Sequence, residues 1–168
     1  MKDRLHRFIL RVFGRLPRPL RRTIVRRLAP QFTVGSVCVV ERDDGRVLLI
    51  RQSYRRRWGV PGGLLRKRED AADGARREVE EEVGIPIELL GEPTVVVSPG
   101  PRRVDVVYRA RPAQGARADD AHPSSPEIVE VRWFEPTALP ELQDETADAM
   151  RALARVSMRP AARPLGAS

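Results

Sequence analysis

The hydrophobic pattern changes period several times along the chain, and each change predicts an element. Phe32–Glu41 is a valine-rich run that reads as a strand. Arg46–Gln52 reads as its hairpin partner across Asp43-Asp44-Gly45, a turn with glycine at the strained position. Between Ala71 and Val83 the period becomes helical: Ala72, Ala75, Val79 and Val83 recur as one buried stripe. Asp70 is placed to cap that helix and Gly84 to stop it. Glu88–Ser98 and Arg103–Arg111 read as two strands broken by Pro99-Gly100-Pro101, and Val129–Phe134 as a last strand. Leu139–Leu142 starts a helical region, and Asp144–Val156 is the main C-terminal helix. Pro112–Pro126 is a polar loop, read as a mobile rim of a site or a flexible connection. This mixture fits the α/β class, as an α/β/α sandwich around a central mixed β-sheet.

Ahead of the first strand the pattern is different. Leu5, Phe8, Ile9, Val12, Phe13 and Leu16 follow helical spacing with basic residues mostly between them. Pro17-Arg18-Pro19 breaks the run, and Leu20, Ile24, Val25 and Leu28 predict a second short helix. Charge makes this segment distinct. The chain of 168 residues carries a net charge of +8. Residues 1–30 hold ten Lys or Arg and one Asp, so the remainder is close to neutral. The predicted organisation is therefore a basic amphipathic extension (1–30), one domain with a real core (31–157) and a disordered tail (158–168). The extension suits three kinds of partner: the domain itself or a second protomer of a homodimer, an anionic membrane surface, or RNA or DNA phosphates. Lys2 and Lys67 stand against 29 arginines, a skew that points to a high-GC genome. Cys38 is a single thiol in a predicted strand and reads as a small buried hydrophobe. No apolar run is long enough to span a bilayer and no secretory signal is visible, so a cytoplasmic location is the expectation.

The chemistry is concentrated in Gly63–Ile85. Glu78, Glu81 and Glu82 are spaced i, i+3, i+4, which puts three carboxylates on one face of the predicted helix. Like charges gathered this way call for a counter-charge. Glu-rich faces taken alone are commonly just solvated, whereas a divalent cation would satisfy all three carboxylates. Trp58-Gly59-Val60-Pro61-Gly62-Gly63 precedes the helix, and its Pro-Gly-Gly turn lets backbone carbonyls approach a ligand closely. Oxygen ligands from a loop and a helix face suit Mg²⁺, Mn²⁺ or Ca²⁺, not zinc.

Gly63, Glu69, Arg77, Glu78, Val79, Glu81, Glu82, Gly84 and Ile85 fill every specified position of a 23-residue pattern that resembles the Nudix box. Its form is G-x5-E-x7-R-E-U-x-E-E-x-G-U, with U aliphatic. The resemblance extends more weakly over about Phe32–Arg155. It implies metal-dependent hydrolysis of a phosphoanhydride bond in a nucleoside diphosphate linked to a group X. Mg²⁺, or Mn²⁺, would be the cofactor. The resemblance makes Glu78, Glu81 and Glu82 metal ligands, or one of them the base, with the Gly62 carbonyl a further ligand. Glu69 and Arg77 would fix the glutamates from behind, and all five box side chains are the catalytic candidates. Glu127 is the candidate ligand or base outside the box, with Asp105 and Glu130 as weaker alternatives. Arg51, Arg57 and Trp58, just before the loop, are the substrate-binding candidates. Trp58 and Trp133 also suit core positions. His6 and His122 lie in poor contexts for chemistry.

The substrate is less legible. Pro99 and Pro101 fall fourteen and sixteen residues past Ile85, either side of a proline that some ADP-ribose-cleaving members carry. The NADH pattern is absent, and the only tyrosine nearby, Tyr108, lies beyond the window expected for dinucleoside polyphosphates. Compactness and Glu127 lean toward nucleoside triphosphates, oxidised ones included. The rival is a Nudix domain that binds nucleotides without cleaving them, as a regulator or interaction module. Such domains often lose box glutamates, and all are present here.

Overall fold

The computed structural model describes Arg7, Arg11 and residues 13–157. The chain divides into two compact units, Met1–Phe32 and Thr33–Ser168. In the first, helix α1 spans Arg18–Leu28, with Pro19 in its first turn, where a missing N–H costs nothing. None of its residues is buried. Leu5, Phe8, Ile9 and Val12 of the predicted first helix, His6 and the tail 158–168 lie outside the described residues.

The second unit is built on six strands, β1 (Thr33–Val40), β2 (Val47–Gln52), β3 (Gly62–Leu64), β4 (Ile87–Ser98), β5 (Arg103–Pro112) and β6 (Ile128–Phe134), with helices α2 (Ala71–Val83) and α3 (Asp144–Ser157). A four-stranded sheet runs β3-β1-β5-β4, and β2 and β6 form a separate antiparallel pair. The large sheet is mixed because β1 and β5 are parallel while β3 and β4 join antiparallel.

Period-two alternation sends the residues of β1 to two cores. Cys38 and Val40 pack with Ala75, Val79 and Val83 of α2. Val39 packs with Val107 of β5 and with Ala149 and Leu153 of α3. A strand covered on both sides reads as a nearly continuous valine run. Each helix thus covers one face of the sheet, giving the α/β/α arrangement. Leu48, Leu49 and Ile50 of β2 are fully buried, and burial of such a side chain contributes about 1.5–3 kcal/mol.

Three expectations fail. β1 and β2 are not paired as a hairpin. The turn forms, with Gly45 at φ +83° and Arg42 N–H bonded to Arg46 O at 2.8 Å, but only Glu41 and Val47 bridge beyond it. β3 and β5 occupy the two edges of β1, so β2 finds its ladder on β6 instead. Leu139–Leu142 is not helical; Leu142 bridges to Trp58, and the helix begins at Asp144. Pro112–Pro126 is not a free rim, because its backbone is bonded to the end of α2, as shown below.

Candidate active site

The site is assembled where β3 meets α2. Gly62 and Gly63 pair with Val37 and Ser36 of β1, so the Pro-Gly-Gly run is a short strand and not only a turn. A Cβ at Gly62, whose φ is +153°, would lie 2.5 Å from the Ser36 carbonyl oxygen and 2.7 Å from Val37. Glycine is what lets the loop press against β1. A Cβ at Gly63 would lie 2.5 Å from the Glu78 carboxylate, so the loop backbone and the helix carboxylate face each other across a gap only hydrogen fits.

The helix is fixed at both ends. Asp70 Oδ1 accepts from Ala72 N–H at 2.8 Å. At the other end Gly84 adopts the left-handed conformation, φ +76°, and its N–H bonds to Glu80 O. Two further carbonyls of the last turn accept from the loop: His122 N–H to Val83 O at 3.0 Å and Ser124 N–H to Glu82 O at 3.1 Å. The His122 ring lies against Gly84, and a Cβ there would be 2.6 Å from it.

Arg77 is the hub of the acidic face. Its Nε and Nη2 donate to the two oxygens of Glu69 at 2.6 and 2.9 Å, a bidentate pair. Its Nη1 donates to Glu78 Oε1 at 2.7 Å and Glu81 Oε2 at 3.0 Å. These bonds, Glu69 first, raise the Arg77 pKa and keep the guanidinium charged. The Glu69 carboxyl is pulled down to about 2, first by Arg77 and then by the Arg66 backbone N–H. Arg66 also donates to Glu81 Oε1 at 2.7 Å, a contact nothing in the spacing of the sequence announces.

Glu82 stands apart from this arginine bracket. It is 8% exposed, and its Oε2 accepts from Gly62 N–H at 2.9 Å. Burial, followed by the charges of Glu78, Glu127 and Glu81, pushes its carboxyl up to about 8 against the opposing Gly62 hydrogen bond. Glu127 therefore lies within electrostatic reach of Glu82. Its backbone oxygen accepts from Ser53 N–H at 2.8 Å, and its carboxylate from the Tyr54 hydroxyl at 3.4 Å. Tyr54 opens the run Tyr54-Arg55-Arg56-Arg57 ahead of the loop, a sequence that suits contact with substrate phosphates or plain solvation, and its pairing with Glu127 is decided by the tertiary fold.

The other sequence candidates are placed elsewhere. Arg51 is bound to Glu130 on the neighbouring strand through Nε and Nη2 at 2.9 and 2.7 Å. Arg57 pairs with Glu141 and Asp144 at 2.8 and 3.2 Å. Trp58 packs edge-on to Phe134 at 4.9 Å, and Trp133 packs on the core with its Nε1 donating to Ala118 O. Both tryptophans are half-buried and packed against the core. Cys38 is fully buried, and burial pushes its thiol up to about 12. Asp105 points to the α3 face and is tied to Arg103, whose Nε meets both its oxygens at 2.8 Å. Asp105 and Glu130 are thus held by arginines outside the Glu78–Glu81 cluster.

A domain model described as the NUDIX domain matches residues 31–155. The chain belongs to the Nudix family. It is 36% identical over 116 residues to a MutT-like protein of Streptomyces ambofaciens, covering 69% of this chain and 72% of that one. It is 30% identical over 115 residues to the 8-oxo-dGDP phosphatase NUDT18 of Danio rerio, covering 62% of this chain and 32% of that protein. The crystal structure of a NUDIX hydrolase from Nitrosomonas europaea superimposes with a TM-score of 0.65 at 26% identity, covering 78% of this chain and 76% of that one. Nudix membership supports hydrolysis of phosphoanhydride bonds as the general activity.

The residues present fit a hard divalent cation. The donor set is carboxylates and backbone, with no sulfur or imidazole. Glu82 is a buried carboxylate facing a backbone loop, surrounded by like charge, with no cationic side chain bonded to it among the described residues. Among those residues no group of three or more His, Cys, Asp or Glu is arranged as a ready-made cage. Arg77 Nη1 holds Glu78 and Glu81 as their counter-charge.

Proposed function

We propose that this Nudix protein hydrolyses nucleoside diphosphates linked to a further group X, with Mg²⁺, or Mn²⁺ in its place, held by Glu78, Glu81, Glu82 and the Gly62 backbone and with Glu127 as an added ligand or base. The observation that carries this reading is Glu82, a buried carboxylate set against a side-chain-free loop and flanked by Glu78, Glu81 and Glu127. A bound divalent cation would neutralise phosphate oxygens and make water a better nucleophile. The chain does the rest. Glu69 anchors Arg77 through two bonds, so Arg77 can release Glu78 and Glu81 from its Nη1 without losing its own position. Asp70 and the 122–124 loop segment hold the helix ends, which keeps the carboxylates in register with Gly62.

Nucleoside triphosphates, including oxidised ones, are the favoured substrates. The position of Glu127 beside Glu82 supports the triphosphates, and the 8-oxo-dGDP phosphatase among the relatives supports oxidised nucleotides. The test is a screen of the full-length protein for phosphate or pyrophosphate release from nucleoside triphosphates, 8-oxo-dGTP, ADP-ribose, NDP-sugars and dinucleoside polyphosphates. Turnover of a triphosphate should vanish with chelator and return with Mg²⁺. Glu81→Gln and Glu82→Gln should each lower it at least ~100-fold, as expected for loss of a metal ligand. Unchanged Mg²⁺-dependent turnover in both variants would refute the assignment.

A further inference from the structure

Helix α1 presents two unlike surfaces, and none of its residues is buried. Its sequence, RPLRRTIVRRL, holds five arginines and no acid. The sequence has no acidic residue anywhere between Asp3 and Glu41. In the second unit Arg42, Arg46, Arg51, Arg77 and Arg111 each meet a carboxylate. The five arginines of α1 make no ion pair among the described residues.

The other surface is apolar. Leu20, Ile24 and Leu28 recur every four residues and share one side of the helix, with Val25 beside them. Leu20 and Val25 are exposed, and Leu28 is 80% exposed. Arg18, Arg22 and Arg26 run along a different side at the same spacing. Arg21 lies within the apolar side, where its stem can follow the leucines while its head reaches outward. The helix closes its own C-terminal end: Ala29 N–H bonds to Val25 O at 2.8 Å, and Gln31 Nε2 donates to Arg26 O at 2.7 Å. What remains open is the charge and the leucine stripe.

A partner has to answer both. A second copy brings the same arginines and no acid, so two such segments repel. A nucleic acid would meet the guanidiniums with phosphates and leave the leucines in water. A bilayer with anionic headgroups offers acceptor oxygens at its surface and an apolar layer just beneath, the order in which an amphipathic helix lying flat presents its two sides. The 11 residues of α1 give a length of about 16 Å, enough to lie in that interface and too short to cross it. No helix among the described residues is long and apolar enough to span a membrane. We propose that α1 lies on an anionic membrane surface, apolar side down, and holds the protein there.

Co-sedimentation of the full-length protein with vesicles tests this. At low salt it should bind phosphatidylcholine vesicles carrying about 30% phosphatidylserine at least ~10-fold more tightly than phosphatidylcholine alone. Leu20→Ser combined with Leu28→Ser keeps every charge and should weaken that binding at least ~5-fold. Arg22→Gln combined with Arg26→Gln should also weaken it at least ~5-fold. None of these side chains is buried, so both variants should keep the circular dichroism of the wild type. Failure of the wild type to pellet at low salt overturns the proposal. So does pelleting that the leucine pair leaves unchanged, because charge alone then explains it. Binding of a short RNA duplex without any vesicle pelleting would assign the segment to nucleic acid instead. A leucine pair that lowers stability and leaves pelleting unchanged would mean that protein covers the stripe. The result stands apart from the hydrolase reading, which uses no residue of α1.

Discussion

At the scale of single residues, the site is organised by how one arginine is shared. Arg77 gives two bonds to Glu69 and one each to Glu78 and Glu81, so it is anchored on one side and exchangeable on the other. The Glu69 end has a pH signature. Its carboxyl is held near 2 in the folded protein, below its ordinary value near 4.5. The unfolded chain then binds the proton first as pH falls. The contribution to stability is complete above about pH 4.5 and is lost as pH drops toward 2. Glu69→Gln should therefore flatten the acid limb of a stability-versus-pH curve measured by denaturant unfolding. An acid limb as steep as wild type would show that the pair does not form. The shared face of Glu78, Glu81 and Glu82 was legible from spacing, because i, i+3, i+4 fixes a helix face in any fold, while Glu69 and Arg77 were reached only through the resemblance to the Nudix box. The partners of these residues were not legible. Arg66 on Glu81, Tyr54 on Glu127 and Gly62 on Glu82 join residues between 15 and 73 positions apart.

At the scale of elements, α2 is the part the sequence describes best. Its limits, Ala71 and Val83, its cap at Asp70 and its stop at Gly84 all follow from local chemistry, and local chemistry suffices when each signal acts within one turn. The Pro112–Pro126 segment, expected as a mobile rim or a flexible connection, is instead bonded to the end of this helix. The polar loop read as a rim is a strap whose His122 and Ser124 N–H groups take the carbonyls of Val83 and Glu82. Gly84→Ala would force a side chain into a left-handed residue and against the His122 ring. It should cost about 1–3 kcal/mol of stability in chemical denaturation. It should also lower turnover, since the strap that moves is bonded to Glu82. A variant as stable as wild type would mean the ring contact is not made. The β1–β2 hairpin failed for a related reason. A turn sequence sets the reversal of the chain, but the ladder goes to whichever strand has a free edge, and β3 and β5 had taken both edges of β1.

At the scale of the whole molecule, the charge and the chemistry are separate. The box, the strap, Glu127 and the Arg103–Asp105 pair all lie in the unit Thr33–Ser168, while the excess of positive charge lies in residues 1–30. Deleting residues 1–30 should leave hydrolysis within ~3-fold of the full chain, as expected when a compact unit carries its own core. The comparison is kcat/KM for the two proteins, with folding of the shorter one checked by circular dichroism. Loss of turnover in a folded truncation would place part of the site in the extension. The exposed Leu20, Val25 and Leu28 of α1 would then need a role in that chemistry.

By itself the sequence determined the identity of the acidic face, the helix that carries it, the glycines beside it and the asymmetry of charge. Each depends on spacing within a turn or two of backbone, where geometry is fixed by the covalent chain. The tertiary structure alone decided which arginine answers which carboxylate, that Arg51 and Arg57 are bound to other acids, and that Asp105 and Arg103 line one cleft with Gly62. Those facts depend on which strands become neighbours. That outcome is set by competition for sheet edges and core volume across the whole chain, and no local pattern encodes it.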